Sequence, residues 1–426
     1  MMNTPNSPTA TQQVGIALIG LYSLVVAIGF GRFLFTATLP DIMNQLSLST
    51  QVAGWLASAN YAGYFVGAML AMFVPQRFSW RILMVALTAS VATALTLAVP
   101  DLPLTGWYTV RFLAGVASGL SMILASTYVL HFFAHHNRWK LSTLHYSGIG
   151  LGIALSAILT LGVLKFSGHY ATVWLLAGLI SLPVVGWFYW LRRRYPPNNH
   201  SNTQTANPQT NEIEEATNQI IASPKTNWRH AFSGKKLLIF LVVADYGLSG
   251  FGYVTSATFL PVMMAQHLPS NPQIGLWVWL LVGICAMFST PAWGQLSHRI
   301  GIVTMLLILT FAKAVGMLMP VLFNATWAWV VNGILLGLTF SGIVSLSLSY
   351  LKDISPQYAN VLVGLGTLAY SLGQLLGPIV TVAIAGEDGD FSRGLIVASI
   401  GLFVSASMLG FLKWQGKGQA EAHQYH

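Results

Sequence analysis

Gly29-Phe30-Gly31-Arg32-Phe33-Leu34-Phe35-Thr36-Ala37-Thr38-Leu39-Pro40 sets one arginine inside a long apolar run. The same frame returns 221 residues later as Gly250-Phe251-Gly252-Tyr253-Val254-Thr255-Ser256-Ala257-Thr258-Phe259-Leu260-Pro261, with a tyrosine in the place of the arginine. Four expectations follow from this pair: lipid as the solvent, a duplicated architecture, an asymmetric charge and a candidate binding site.

The rest of the chain agrees on the solvent. Of 426 residues 54% are hydrophobic and only 7% charged, with a mean hydropathy of +0.64. Soluble domains carry about a quarter charged residues. Many apolar runs reach the length that crosses hydrocarbon as a helix, and the short alternating strands of an outer-membrane barrel are absent, so the sequence reads as an all-α polytopic membrane protein. One cysteine, Cys285, lies within an apolar run. It excludes an intramolecular disulfide and reads as a small core residue.

Twelve spans are expected, at roughly 14–40, 52–74, 82–99, 107–133, 143–165, 171–190, 237–263, 274–297, 302–322, 326–350, 360–385 and 393–413. The first is read as retained, since its apolar run is too long for a signal-peptide core. With the N-terminus in the cytoplasm, every one of the 20 Lys and Arg except Arg32, Arg111, Lys165, Lys313 and Arg393 falls in a cytoplasmic segment. The net charge of +9 is therefore a positive-inside topology signal and not a nucleic-acid surface. An even span count puts both termini inside. The expected organisation is a cytoplasmic tail over 1–13, a six-helix half over 14–194, a disordered polar linker over 195–235, a second six-helix half over 236–413 and a tail over 414–426. The same offset maps Gly54 onto Gly275 and Arg111 onto Asn332. Two halves of equal helix number and equal orientation form a parallel duplication, the plan of transporters whose site lies between rocking halves.

Over its whole length the chain resembles the major facilitator superfamily, and within it the bacterial YbfB/YjiJ-type group. The resemblance is carried by Gly29 to Arg32 with Leu39-Pro40, by Ala53-Gly54-Trp55-Leu56-Ala57-Ser58-Ala59-Asn60-Tyr61-Ala62-Gly63-Tyr64, by Ser147-Gly148-Ile149-Gly150-Leu151-Gly152, and by Ser371-Leu372-Gly373-Gln374-Leu375-Leu376-Gly377-Pro378. It implies twelve helices in two six-helix halves, with the first and fourth helices lining a central cavity and the ninth peripheral. Gly294 to Gly301 is similar to the superfamily's cytoplasmic gating motif, with His298 in place of the usual aspartate and Arg299 beside it. The matching segment after the second span keeps Arg77 and Arg81 but lacks the acid. Arg111 to Gly119 resembles the arginine-glycine motif of proton-linked members. Gly373 to Pro378 is similar to the antiporter motif but stands in the eleventh span instead of the fifth.

Ionisable groups within hydrocarbon cost about 2.5–3.5 kcal/mol each on insertion scales, so each needs an interior location. Four are embedded: Arg32, Arg111, Asp245 and Lys313. Arg32 and Arg111 both fall in the outer half of the membrane, where two guanidinium groups are placed to hold a carboxylate or phosphate. Their copies, Tyr253 and Asn332, are neutral. For each arginine the alternative is a structural role, bonded to carbonyls or snorkelling to the interface. Asp245, Ser249, Tyr253 and Ser256 form one polar helix stripe, and Asp245, the only embedded carboxylate, is the candidate proton-coupling group. Its alternative is a static partner of one of the cations. Lys313 is expected to turn inward to a carbonyl or acid and to take no part in substrate binding. Asn60 with Tyr64, and Tyr370 with Gln374, are polar i, i+4 pairs that complete the candidate substrate-binding set. Tyr61, with only Phe65 at that spacing, is passed over.

No HExxH, GxSxG, Walker or metal-spaced cysteine pattern occurs. No enzyme activity, catalytic residue, metal site or cofactor is expected. The expected function is secondary active transport of a small solute by alternating access, with an organic anion as the solute and protons as the coupling ion. A proton-antiporting exporter of amphipathic or drug-like compounds is the alternative. The expected partners are the solute, protons and the lipid bilayer, with no nucleic acid and a monomeric protein. The expected location is a bacterial inner membrane.

Overall fold

The computed structural model describes residues 10–135, 139–194, 234–386 and 389–416. The expected linker over 195–235, apart from Gly234 and Lys235, and the outer parts of both tails lie outside the described residues.

Apolar residues surround each span, so hydrocarbon thickness, more than amphipathic periodicity, sets helix length. The first span runs without a break through α1 (Ala10–Leu24), a nine-residue π-helix (Val25–Phe33) and α2 (Leu34–Gln45). The first half continues with α3 (Thr50–Met72), α4 (Gln76–Leu97), α5 (Leu104–His135), α6 (Trp139–Phe166) and α7 (Tyr170–Arg194). The second half holds α8 (Lys236–His267), α9 (Ile274–Ile300), α10 (Ile302–Phe323), α11 (Thr326–Ile354), α12 (Ala359–Ala385) and α13 (Ser392–Trp414). Among the described residues, with α1, the π-helix and α2 counted as one, these make twelve long helices. Eleven are long and apolar enough to cross a membrane by composition alone, and α3 falls short because it spends positions on Gln51, Ser58, Asn60 and glycine.

The helices overrun the expected spans by a few residues at their ends, and the gating segments are shorter than read. Arg77 and Arg81 already belong to α4, His298 and Arg299 close α9, and Gly301, at a φ of 86° that glycine adopts without strain, makes the turn into α10. All four basic residues are exposed.

Equivalent helices pack equivalently. α3 lies on α5 as α9 lies on α11, α4 on α7 as α10 on α13, and the first helix on α6 as α8 on α12. Among the described residues the most extensive contacts between the halves are those of α3 with α12, α6 with α9, and α2 with α8. Without a hydrophobic force between helices in lipid, close backbone approach has to supply the attraction. A Cβ built on Gly29 would stand 2.5 Å from Gly152 Cα, and one on Gly150 would stand 2.7 Å from the Gly283 carbonyl across the interface between halves.

Prolines inside helices free the carbonyl four residues earlier, which hydrocarbon cannot solvate. Three of these carbonyls are taken by side chains of a neighbouring helix. Thr36 Oγ1 donates to Ala257 O (2.8 Å) before Pro261, Ser147 Oγ to Met287 O (2.8 Å) before Pro291, and Asn332 Nδ2 to Gly316 O (2.8 Å) before Pro320. The first two of these bonds cross between halves.

Candidate functional site

The four embedded charges are all buried, at 5% exposure for Arg32, 2% for Arg111, 0% for Asp245 and 1% for Lys313. They fall into two groups, Arg32 with Arg111 and Lys313 with Asp245, and Arg32 and Lys313 both approach Tyr253.

Arg32 stands near the end of the π-helix, whose wide turns are closed by bonds such as that from Leu34 N–H to Gly29 O. Its guanidinium carbon lies 4.3 Å from the ring centroid of Tyr61, 5.1 Å from Tyr64 and 5.3 Å from Phe33. These are distances at which ring quadrupoles hold a cation. Its Nη2 donates to the Tyr253 hydroxyl at 2.7 Å. Gln374 Nε2 donates to the same oxygen at 2.6 Å, so two donors from opposite halves converge on one acceptor. Arg32 Nε and Gln374 Oε1 are buried without partners, and among the described residues no acid pairs with Arg32.

The offset read from the sequence reappears as contact. Arg32 with Tyr253 and Thr36 with Ala257 are hydrogen-bonded pairs separated by 221 residues. A residue that touches its own copy lies on the axis relating the two halves. The lone arginine therefore sits at the pseudo-two-fold axis.

Tyr253 is the middle ring of a ladder built from three helices. Its ring is stacked on Phe340 of α11 at 5.6 Å and 13°, and on Tyr370 of α12 at 5.8 Å and 9°. Tyr370 stacks in turn on Tyr246 at 4.5 Å and 22°. Beyond Phe340, Phe33 meets it edge-on at 6.3 Å and meets Trp279 at 5.8 Å.

Lys313 Nζ lies 5.6 Å from the Tyr253 ring centroid and forms no hydrogen bond among the described residues. Lys313 and Asp245 are within electrostatic reach of each other. Asp245 accepts a short hydrogen bond from Ser405 Oγ on one oxygen and has no partner on the other. Lys313 thus turns inward as expected, but toward the acid and the central ring, so it borders the site it was expected to avoid.

Three expectations need correction. Arg111 does not snorkel: its guanidinium lies 4.0 Å from the Phe35 ring centroid and donates to Leu56 O and Gly31 O, both at 3.4 Å. Asn60 is not paired with Tyr64, because its Nδ2 donates to Arg111 O at 2.9 Å and ties α3 to α5. Tyr61, passed over for want of a polar neighbour in its own helix, lies nearest to Arg32 and bonds Thr258 Oγ1 across the halves at 3.0 Å. Tyr246 and Phe340 were missed as well. The seven-residue spacing of Tyr246 and Tyr253 on one helix face was a usable signal, but nothing local marks Phe340. Gly373 packs against the backbone of α8 at Phe251, and Gly377 against Val254 and Phe251, which accounts for the Gly-x-x-x-Gly-Pro pattern as helix contact. Cys285 is half-buried and not a core residue. Among the described residues no group of three or more His, Cys, Asp or Glu is placed to hold a metal.

The family model that matches residues 24–409 carries the description "Uncharacterised MFS-type transporter YbfB". "Probable anion transporter 6, chloroplastic" of Arabidopsis thaliana is 23% identical over 419 residues, 92% of this chain and 77% of that one. "Niacin transporter NiaP" of Acinetobacter baylyi is 25% identical over 275 residues, 58% of this chain and 60% of that one. A bacterial homolog of the human lysosomal transporter Spinster, crystallised inward-facing and unoccupied, shares the fold with a TM-score of 0.66 at 17% identity, over 94% of this chain and 97% of its own.

Proposed function

Since the chain belongs to the major facilitator superfamily, in the family of the YbfB-type transporters, we propose that the solute it moves is a small organic anion held at Arg32. The observation that carries this reading is a buried cation at the axis between the halves whose only hydrogen-bonded side-chain partner among the described residues is a phenol. A guanidinium without a carboxylate leaves a buried charge uncompensated, and an incoming anion removes that cost while forming charge-assisted hydrogen bonds. Relatives named for an anion and for niacin, a carboxylic acid, support it. Tyr61, Tyr64 and Gln374 complete the binding set, with Tyr370 behind them, and Tyr253 occupies the donors of Arg32 and Gln374 until the solute takes its place. Arg111 and Asn60 position the first helix against α3 and α5.

Protons are the proposed coupling ion, taken and released by Asp245. Protonating Asp245 removes the negative charge facing Lys313, and Lys313 stands against the ring whose hydroxyl holds Arg32. The proposed setting is a bacterial inner membrane with both termini cytoplasmic, supported by the distribution of Lys and Arg.

Uptake of organic anions into proteoliposomes under an imposed proton gradient tests the function. An Arg32→Gln protein is expected to lose anion binding by about thirtyfold or more, and Asp245→Asn to exchange anion without responding to the gradient. Unchanged anion affinity in Arg32→Gln overturns the ligand assignment.

A further inference from the structure

Resting on the reading of Arg32 as an anion ligand, we infer that the solute is an aromatic carboxylate, whose ring takes the slot between Phe340 and Tyr370 and whose carboxylate takes the oxygen position shared by Arg32 and Gln374.

Tyr253 fills that slot in this structure. Its ring lies nearly parallel to both neighbours, at 13° to Phe340 and 9° to Tyr370, with centroids 5.6 and 5.8 Å away. These separations belong to offset stacking, which rewards a flat ring over a puckered one of equal area. At the end of that ring its hydroxyl oxygen accepts from Arg32 Nη2 at 2.7 Å and from Gln374 Nε2 at 2.6 Å. One flat aromatic body with one oxygen at its edge therefore satisfies the slot and the two donors at once. A neutral phenol is a weak answer to a guanidinium, and Arg32 Nε remains without a partner. A carboxylate on a ring of the same size supplies a second oxygen and the missing negative charge.

The partner requirements exclude other solutes. An aliphatic acid leaves the faces of Phe340 and Tyr370 without a flat partner, and a phosphate has no ring to offer. Two cations of opposite roles also frame the slot, since Arg32 meets the edge of the Tyr253 ring and Lys313 faces it. In the proposed complex the side chain of Tyr253 turns out of the slot as the solute enters. The contact between the halves through Arg32 is then made by the solute's carboxylate.

The test is thermal unfolding of the purified full-length protein with equal concentrations of benzoate, cyclohexanecarboxylate and benzamide, in the wild type and in Phe340→Leu. Benzoate is expected to raise the unfolding temperature at concentrations roughly five- to tenfold below those needed for cyclohexanecarboxylate, benzamide to have no effect, and Phe340→Leu to bring the two acids together. Equal response to benzoate and cyclohexanecarboxylate in the wild type overturns the aromatic slot and leaves the anion reading standing. A response to benzamide equal to that for benzoate overturns the anion reading. No response to either acid overturns both.

Discussion

Residues 25–33 wind as a π-helix and carry Arg32, whereas the equivalent stretch of α8 winds as an α-helix and carries Tyr253, although Gly29-Phe30-Gly31 and Gly250-Phe251-Gly252 are the same three residues. The neighbours of the two glycines differ. Gly29 lies against the backbone of Gly152, while Gly250 lies against the carbonyl and ring of Tyr370. Local sequence thus fixes where close approach occurs, and the partner helix decides how the turn is wound. The same division holds for chemistry: the first half brings a cation wrapped in aromatic faces, and the second brings stacked rings and neutral donors.

Exchanging the two residues attacks that division most directly. In Arg32→Tyr/Tyr253→Arg the guanidinium moves in among the rings of Phe340 and Tyr370, to a position where Lys313 stands 5.6 Å from the present ring and a second cation is therefore close by. Anion binding measured by thermal shift is expected to stay lost by about thirtyfold or more, as in the single Arg32 variant. Recovery of binding in the exchange would show that the axis alone matters and the halves are interchangeable.

A smaller effect separates the equivalent pair Arg111 and Asn332. Arg111→Ala removes charged donors from two carbonyls and is expected to cost about 2–3 kcal/mol in equilibrium unfolding, against about 1 kcal/mol for Asn332→Ala, which frees one carbonyl, Gly316 O, and a weak sulfur acceptor, Met317 Sδ. Equal losses would mean that the charge of Arg111 adds nothing to its scaffolding role. Next comes Thr36→Val, which leaves the proline-freed carbonyl of Ala257 without its donor. The expected loss is about 1 kcal/mol, with Ser147→Ala matching it at Met287 O.

The smallest difference lies at the starts of α7 and α13. His169 Nδ1 accepts from Ala171 N–H at 3.2 Å, and 221 residues later Asp390 Oδ1 accepts from Ser392 N–H at 2.9 Å. One half caps with a ring nitrogen and the other with a carboxylate. The hydrogen bonds from Ser392 hold the Asp390 carboxyl below its ordinary value of 3.8. A lowered carboxyl stabilises the fold at neutral pH and loses that contribution as pH falls through its folded value. Because Asp390 is exposed, Asp390→Asn is expected to cost no more than about half a kcal/mol at pH 7, and progressively less as pH falls below the ordinary carboxyl value. A pH-independent cost would assign the effect to shape and not to charge.

Much of this was legible in the sequence, because membrane burial leaves few alternatives. A run such as 29–40 can only span, a fixed offset can only come from duplication, and four embedded charges can only face inward, where all four are found. What escaped was geometry between helices. Tyr61 was dismissed for its neighbours along α3, yet its partners are Arg32 and Thr258 on two other helices. Phe340 joins the ring ladder only because α8, α11 and α12 converge there. The π-helix has no signature in Val25-Val26-Ala27-Ile28 and depends on the fit of Gly29 to Gly152. Asn60 and Tyr64 share a helix face, but α5 claims the first and Arg32 the second.

The contact of Arg32 with its own copy has a consequence for the origin of the protein. In a symmetric dimer of separate six-helix units, a residue on the axis meets itself, so an arginine there would oppose an arginine at hydrogen-bonding range with no solvent to screen it. Such a dimer must carry two charges on its axis or none. Duplication removes that constraint, because one copy can then mutate alone, and a single chain keeps the two unequal halves paired one to one. An arginine that meets a tyrosine on the axis is a property that two identical units could not have produced.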